Sequence, residues 1–294
     1  MKRELNMEIT KLSTFGEVEL FREMANQFNN NKYAKCTYVQ EVHKMIVEFN
    51  SSFFHGIKGC ELGDLLLLTY DKTQKELRIC VLQAKYRKGS YRKFLSCKAD
   101  EYQWELLFYR PDIYSKSRLK FPKNILNFRH DYKSITAYGI FYHDKFYHEI
   151  DFLYTLPELF KPKKMTPVPS KTFSYICPNL SICKSSCCGC STSCLSKIGS
   201  TPKETLFTCN MDNFEKEVLD CKIGAPINDD EIRKYILGLL NSMKKTADSP
   251  EVIDEILHNY EFIEEFKDEE YPSAIIVVTD GEKYKKTDYE VEVH

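Results

Sequence analysis

Three residues in the first third of the chain have the types and spacing to act on a phosphate ester: Asp64, Gln83 and Lys85. A carboxylate and an amide carbonyl are hard oxygen donors suited to Mg²⁺ or Mn²⁺. Such an ion keeps several waters and takes phosphate oxygens at its open positions. It lowers the pKa of its bound water and neutralises the phosphate. A lysine beside these donors supplies a compact positive charge that orients the attacking water and offsets charge growing on phosphorus. A glutamate would complete the set. Glu41 stands 23 residues before Asp64 and Glu61 stands three before it, so both are candidates.

The elements that must position these residues follow from pattern. Two apolar runs, 64–70 and 77–85, flank the polar stretch Asp71 to Glu76, which reads as a β-hairpin. The loop centre falls between Thr73 and Gln74, so opposed residues have numbers that total 147 and Asp64 faces Gln83. Side chains alternate along a strand, so Gln83 and Lys85 share a face. A slip of one residue would break the cluster apart. Upstream, Tyr38, Val39, Val42, Met45, Ile46 and Phe49 recur at three- and four-residue spacing, which predicts an amphipathic helix over 36–49 with Glu41 and Glu48 at its border. Downstream, Asp100 and Glu101 suit a helix N-terminus, and a helix is expected from 99 to 110. The run 134–142 reads as a further core strand.

The whole chain bounds the classes of function. It has 294 residues, with 42 Lys and Arg against 43 Asp and Glu. That balance excludes a uniformly basic nucleic-acid coat and an acidic solvating tail. Nineteen Tyr and nineteen Phe can fill a core, which excludes disorder as a description of the whole. The charge is uneven, however. Between Lys85 and Ser134 thirteen Lys and Arg face five Asp and Glu, whereas from Asn210 to His294 ten face twenty-two. A basic middle suits a polyanion such as DNA, and an acidic final third suits a protein-facing or merely solvated surface. No apolar run approaches the roughly 20 residues of a membrane span. The charged start, with no apolar segment behind it, points to the cytoplasm.

Composition divides the chain into 1–160, a Pro/Lys-rich and cysteine-rich stretch over 161–210, and a helical region over 211–294 that closes with a strand pair at 274–293 suited to interaction or assembly. Seven of the twelve Cys (177, 183, 187, 188, 190, 194 and 209) fall within 33 residues. Three readings stay open: a structural zinc site, an iron–sulfur cluster, and unliganded thiols. A zinc site would draw on Cys177, Cys183, Cys187 and Cys190, with Cys188 and Cys194 as substitutes. The scattered Cys36, Cys60, Cys80, Cys97 and Cys221 read as core residues.

Gly63-Asp64, a hairpin, and then Gln83-Ala84-Lys85 resemble the PD-(D/E)xK nuclease superfamily in its QxK variant. The resemblance covers roughly 36–140, and Gly63 stands where the family commonly has proline. It implies an α/β fold with a restriction-endonuclease-like core, a central mixed sheet flanked by helices, here followed by a cysteine-rich insertion and an α-rich C-terminal region. It also implies a Mg²⁺- or Mn²⁺-dependent DNA endonuclease. Asp64 would be the metal aspartate, Gln83 the second metal or water ligand, Lys85 the catalytic lysine, and Glu41 the helix glutamate. Gln103, Arg87 and Lys88 would meet the substrate, with Lys116, Arg118, Lys120 and Lys123 near phosphates. The longer string from Gly59 to Asp64 together with Leu82 to Lys85 is similar to nuclease effectors of bacterial anti-phage systems of the Lamassu type. That narrower likeness implies a multi-subunit complex with an SMC-like ATPase, and activity gated by a partner or by homo-oligomerisation. The competing classes are a zinc-stabilised adaptor without catalysis, and an RNase or nicking enzyme using the same site.

Overall fold

The run Leu65–Asp71 is buried at every residue, the mark of a strand covered on both faces. In the computed structural model, which describes residues 2–9, 16–40, 44–90, 96–98, 100–116, 121–143, 149–162, 172–175, 208–262 and 271–280, this strand lies inside a mixed sheet. The strands in chain order are β1 (Ala34–Val39), β2 (Ile46–Ser51), β3 (Gly56–Glu61), β4 (Leu65–Asp71), β5 (Glu76–Ser90), β6 (Ser96–Lys98), β7 (Ile113–Ser115), β8 (Thr136–His143), β9 (Ile150–Thr155), β10 (Phe160–Pro162), β11 (Thr172–Tyr175), β12 (Thr208–Asn210), β13 (Ala225–Pro226) and β14 (Ala274–Thr279). The helices are α1 (Lys2–Ile9), α2 (Glu17–Phe28), α3 (Glu101–Tyr109), α4 (Met211–Leu219), α5 (Asp230–Met243) and α6 (Pro250–Asn259).

The main sheet runs β1-β14-β4-β5-β8-β9-β12, with β13 also paired to β5. The β14–β4 and β5–β8 pairs are parallel and the others antiparallel. Helices cover both faces, as a sheet with two apolar faces requires. Leu65 and Leu67 of β4 join one core with α1, α2 and α4, where Phe21, Phe28 and Phe214 lie. Leu66, Leu68 and Tyr70 join the other with α3, α5 and α6, where Trp104, Ile236 and Ile256 lie. The molecule is thus a mixed α/β structure with a central mixed sheet flanked by helices. Two small three-stranded sheets, β3-β2-β7 and β10-β11-β6, stand beside it. Among the described residues no helix is long and apolar enough to cross a membrane.

The hairpin forms with the expected register: Leu65 opposes Leu82 and Tyr70 opposes Leu77. The helix expected at 99–110 is α3, with the Asp100 carboxylate accepting from the Gln103 N–H at its start. The strand expected at 134–142 is β8.

The helix expected over 36–49 does not form. Its ends are β1 and β2, and Glu41 lies outside the described residues. The physical reason is that Cys36-Thr37-Tyr38-Val39 and Ile46-Val47-Glu48-Phe49 are short, β-branched and aromatic, so an apolar set that fits a helix also fits two strands. In β2 the buried residues alternate: Val47, Phe49 and Ser51.

For the C-terminal helices the sequence leaves open packing onto the core or a surface for partners, and it suggests an edge hairpin at 274–293. β14 is an interior strand, antiparallel to β1 and parallel to β4, and α4, α5 and α6 pack on the same two cores as the first 160 residues. The second arm expected near 289–293 lies outside the described residues. Of the cysteines, Cys36, Cys80, Cys209 and Cys221 are buried and Cys60 is half-buried. Cys209 belongs to β12 and to the α1/α2/α4 core, while Cys177, Cys183, Cys187, Cys188, Cys190 and Cys194 lie outside the described residues.

A chain ended before Ala274 should lose an interior strand with six paired residues. It is expected to show no cooperative thermal transition by circular dichroism, whereas a separable C-terminal region would leave the melt intact. Gly139 tests the packing more finely, because a Cβ there would come 2.6 Å from Leu82 Cδ2 and 2.9 Å from the Phe152 ring. Gly139→Ala should cost about 1–3 kcal/mol by denaturant titration.

Candidate active site

The site is built where β4 begins. Gly63 brings the chain so close to β5 that a Cβ there would stand 2.7 Å from Val81 Cγ1 and 3.3 Å from the Leu82 carbonyl oxygen. Only glycine fits this approach without displacing a core residue. The next N–H, that of Asp64, donates to the Leu82 carbonyl at 3.1 Å and fixes the Asp64 side chain over β5. Its Oδ2 accepts from the Ala84 N–H at 2.8 Å and from Gln83 Nε2. Gln83 Nε2 also reaches the Ala84 carbonyl at 3.2 Å. Lys85 lies two residues on, and its charge acts on Asp64.

A cleft of about 160 Å³ opens at this point, lined by Glu17, Lys44, Glu61, Asp64 and the apolar walls Val18, Phe21, Tyr38, Leu65 and Ala84. Three carboxylates therefore border one space. Burial pushes the Asp64 carboxyl up to about 6; Lys85 and the Ala84 N–H oppose this, and Glu61 and Glu17 reinforce it. Lys44 pairs with Glu61 at 3.1 Å.

Glu17 is the residue that the sequence reading missed. It is the first residue of α2, and its Oε1 accepts from the Tyr86 N–H at 2.6 Å, which ties the helix to β5 one residue past Lys85. The signal was present: Leu20, Phe21, Met24, Ala25 and Phe28 repeat at helical spacing just after Gly16, with acids in the first turn. Glu61, at the end of β3, lines the cleft. Gln103 is buried, and its side-chain N–H donates to the Glu61 carbonyl at 3.1 Å, so it holds the backbone of that acid in place. Arg87 and Lys88 fall on β5 beyond Lys85.

The donor set fits a hard divalent cation by its chemistry. Gln83 Oε1 is buried with no hydrogen-bond partner among the described residues, while Nε2 donates to two oxygens, Asp64 Oδ2 and the Ala84 carbonyl. As placed, the amide N–H donors occupy the two oxygens; a cation there would need the amide turned so that Oε1 joins Asp64 Oδ2 and the Ala84 carbonyl as a third oxygen. Among the described residues no group of three or more His, Cys, Asp or Glu is arranged for a metal, so the amide and the carbonyl are needed to complete the set. Compared with protein-family models, curated proteins and solved structures, the chain matches none.

The raised Asp64 pKa makes a stability prediction with a definite sign. The folded state holds this proton more tightly than the unfolded chain, whose ordinary value is 3.8. The stabilisation is therefore present below about pH 4 and lost as pH rises to about 6, at a cost of at most about 3 kcal/mol. Asp64→Asn should melt higher than wild type above pH 6, with the difference closing below pH 4. A variant less stable than wild type at pH 7.5 would contradict the buried-charge account.

Proposed function

We propose that the protein is a divalent-cation-dependent nuclease of the PD-(D/E)xK type in its QxK form, hydrolysing phosphodiester bonds of DNA. The observation that carries this reading is the β4–β5 register, which holds Asp64 against Gln83 and Ala84 with Lys85 on the Gln83 face. The order of a helix, a hairpin and a second helix, with β8 parallel to β5, supports a restriction-endonuclease-like core.

Asp64, the Gln83 carbonyl and the Ala84 carbonyl would hold Mg²⁺ or Mn²⁺, which when bound supplies an acidified water and neutralises phosphate charge. Lys85 orients the attacking water and offsets charge on the phosphoryl oxygens. The water oxygen forms the new bond to phosphorus as the ester P–O bond breaks, and the leaving ester oxygen takes a proton from solvent. Glu61 and Glu17 border the same cleft and accept the proton that the water sheds. Burial of Asp64 has a functional side as well: the carboxylate has lost water that a cation or its hydration shell can replace. On the narrower resemblance, the enzyme would serve as the effector of an anti-phage complex with an SMC-like ATPase.

Cleavage of supercoiled plasmid in Mg²⁺ tests the reading. Asp64→Ala and Lys85→Ala should each lower the rate by 100-fold or more, and a chelator should abolish it. Gln83→Glu should retain cleavage, because it keeps an oxygen ligand, whereas Gln83→Ala should lose it. Lys85→Ala protein cutting at the wild-type rate would remove the assignment.

A further inference from the structure

Three carboxylates border the Asp64 cleft, and they are not held alike. Asp64 Oδ2 accepts from the Ala84 N–H at 2.8 Å, and Glu17 Oε1 accepts from the Tyr86 N–H at 2.6 Å. Both donors belong to the backbone of β5, which is fixed in the main sheet. The Glu61 carboxylate is held instead by a charge, the Lys44 ammonium at 3.1 Å. Among the described residues that line the cleft, Lys44 is the one base beside three acids.

Local pairing puts Lys44 there. β2 and β3 pair as far as Ile46 with Glu61, and one further bond, from the Leu62 N–H to the Met45 carbonyl at 2.8 Å, carries the pairing on toward Gly63 and Asp64. Lys44 directly precedes Met45, so its side chain reaches the cleft beside Glu61. The backbone of Glu61 is fixed as well, because the Gln103 side-chain N–H donates to its carbonyl at 3.1 Å. The partners differ in exposure: the side chain of Glu61 is 19% exposed and that of Lys44 is 65% exposed. The acid is thus set in the wall of the cleft, while the ammonium sits largely in water. A pair this exposed is weak, and a strongly hydrated ammonium leaves it at little cost.

Attraction to a carboxylate scales with the charge of its partner, so a divalent cation outbids an ammonium at equal distance. Glu61 is close enough to Asp64 for its charge to act on that carboxyl, so a cation held at Asp64 is within reach of Glu61 through the water it carries. We propose that Lys44 is a resident counter-ion of the cleft: it occupies Glu61, a divalent cation must displace it to engage that carboxylate, and the ion pair therefore sets the affinity of the site for its cation. The proposal rests on the nuclease reading for the nature of the ion. It makes Lys44 a positioning residue that acts through Glu61, unlike Lys85. Loss of Lys85 abolishes cleavage, whereas loss of Lys44 lowers the cation concentration at which cleavage sets in.

Calorimetric titration of Mn²⁺ alone into the full chain tests it. Lys44→Met should bind about three- to five-fold more tightly than wild type, the scale of one exposed ion pair. Lys44→Arg, which keeps the pair, should bind as wild type does. In a Glu61→Gln background Lys44→Met should bring no gain, whether binding there is weakened or lost. Thermal melts in chelator equal to wild type show that the exposed Lys44 substitutions leave the fold intact. Unchanged affinity in Lys44→Met would overturn the proposal and leave the cation site at Asp64 standing. So would an equal gain with and without the Glu61 carboxylate, the mark of a charge acting through space alone. The expected pattern in a protein that leaves plasmid uncut in Mg²⁺ keeps the proposal and removes the nuclease reading. No Mn²⁺ binding by any variant would overturn both.

Discussion

The register of β4 on β5 is the constraint on which the rest depends. Leu65 opposes Leu82, and each strand presents alternate residues to two different cores. Cys80, Leu82 and Ala84 face the α1/α2/α4 side, whereas Ile79 and Val81 face the α3/α5/α6 side. A one-residue slip would send every one of these side chains into the wrong core, so the pairing is specified twice over. The same pairing delivers Asp64 to Gln83 and Ala84. Gly63 is where packing and chemistry meet, since the close approach that seats Asp64 also seals the core over Val81.

The cleft stands in contrast to the cores around it. Glu17, Glu61 and Asp64 border one small space whose walls are largely apolar. Desolvation holds the Asp64 carboxyl up near 6, well above the ordinary value, and the neighbouring acids add to it. Such an arrangement costs stability, and the proposed cation site would put it to use. Elsewhere in the chain burial has a quieter effect, as for the thiols of Cys80 and Cys221, which it pushes up to about 12 and so makes unreactive.

What could be read from the sequence was what is local. The hairpin was legible because a six-residue polar loop separates two apolar runs, and its centre sets the register. α3 was legible from its acidic start, and α5 from the spacing of Ile232, Tyr235, Ile236, Leu239 and Leu240. The errors have a physical origin. β1 and β2 are six residues each, too short for a period of two to be told from one of 3.6. β14 pairs with residues more than 200 positions away, so its interior place comes from tertiary packing and not from its own pattern. Of the candidate site, Asp64, Gln83 and Lys85 were legible because one hairpin carries them all, and of the three Asp64 lines the cleft. Glu17 was not, because it reaches β5 from a separate helix.

The central claim is that the Asp64 cluster holds a catalytic divalent cation, and calorimetric titration of Mn²⁺ at pH 6 tests it most directly. Near this pH Asp64 is about half protonated, so cation uptake should expel a proton. The account predicts a saturable site in wild type, proton release seen as a heat that changes with the ionisation enthalpy of the buffer, and loss of both in Asp64→Ala. Equal Mn²⁺ binding by wild type and Asp64→Ala, or no binding by wild type, would contradict it.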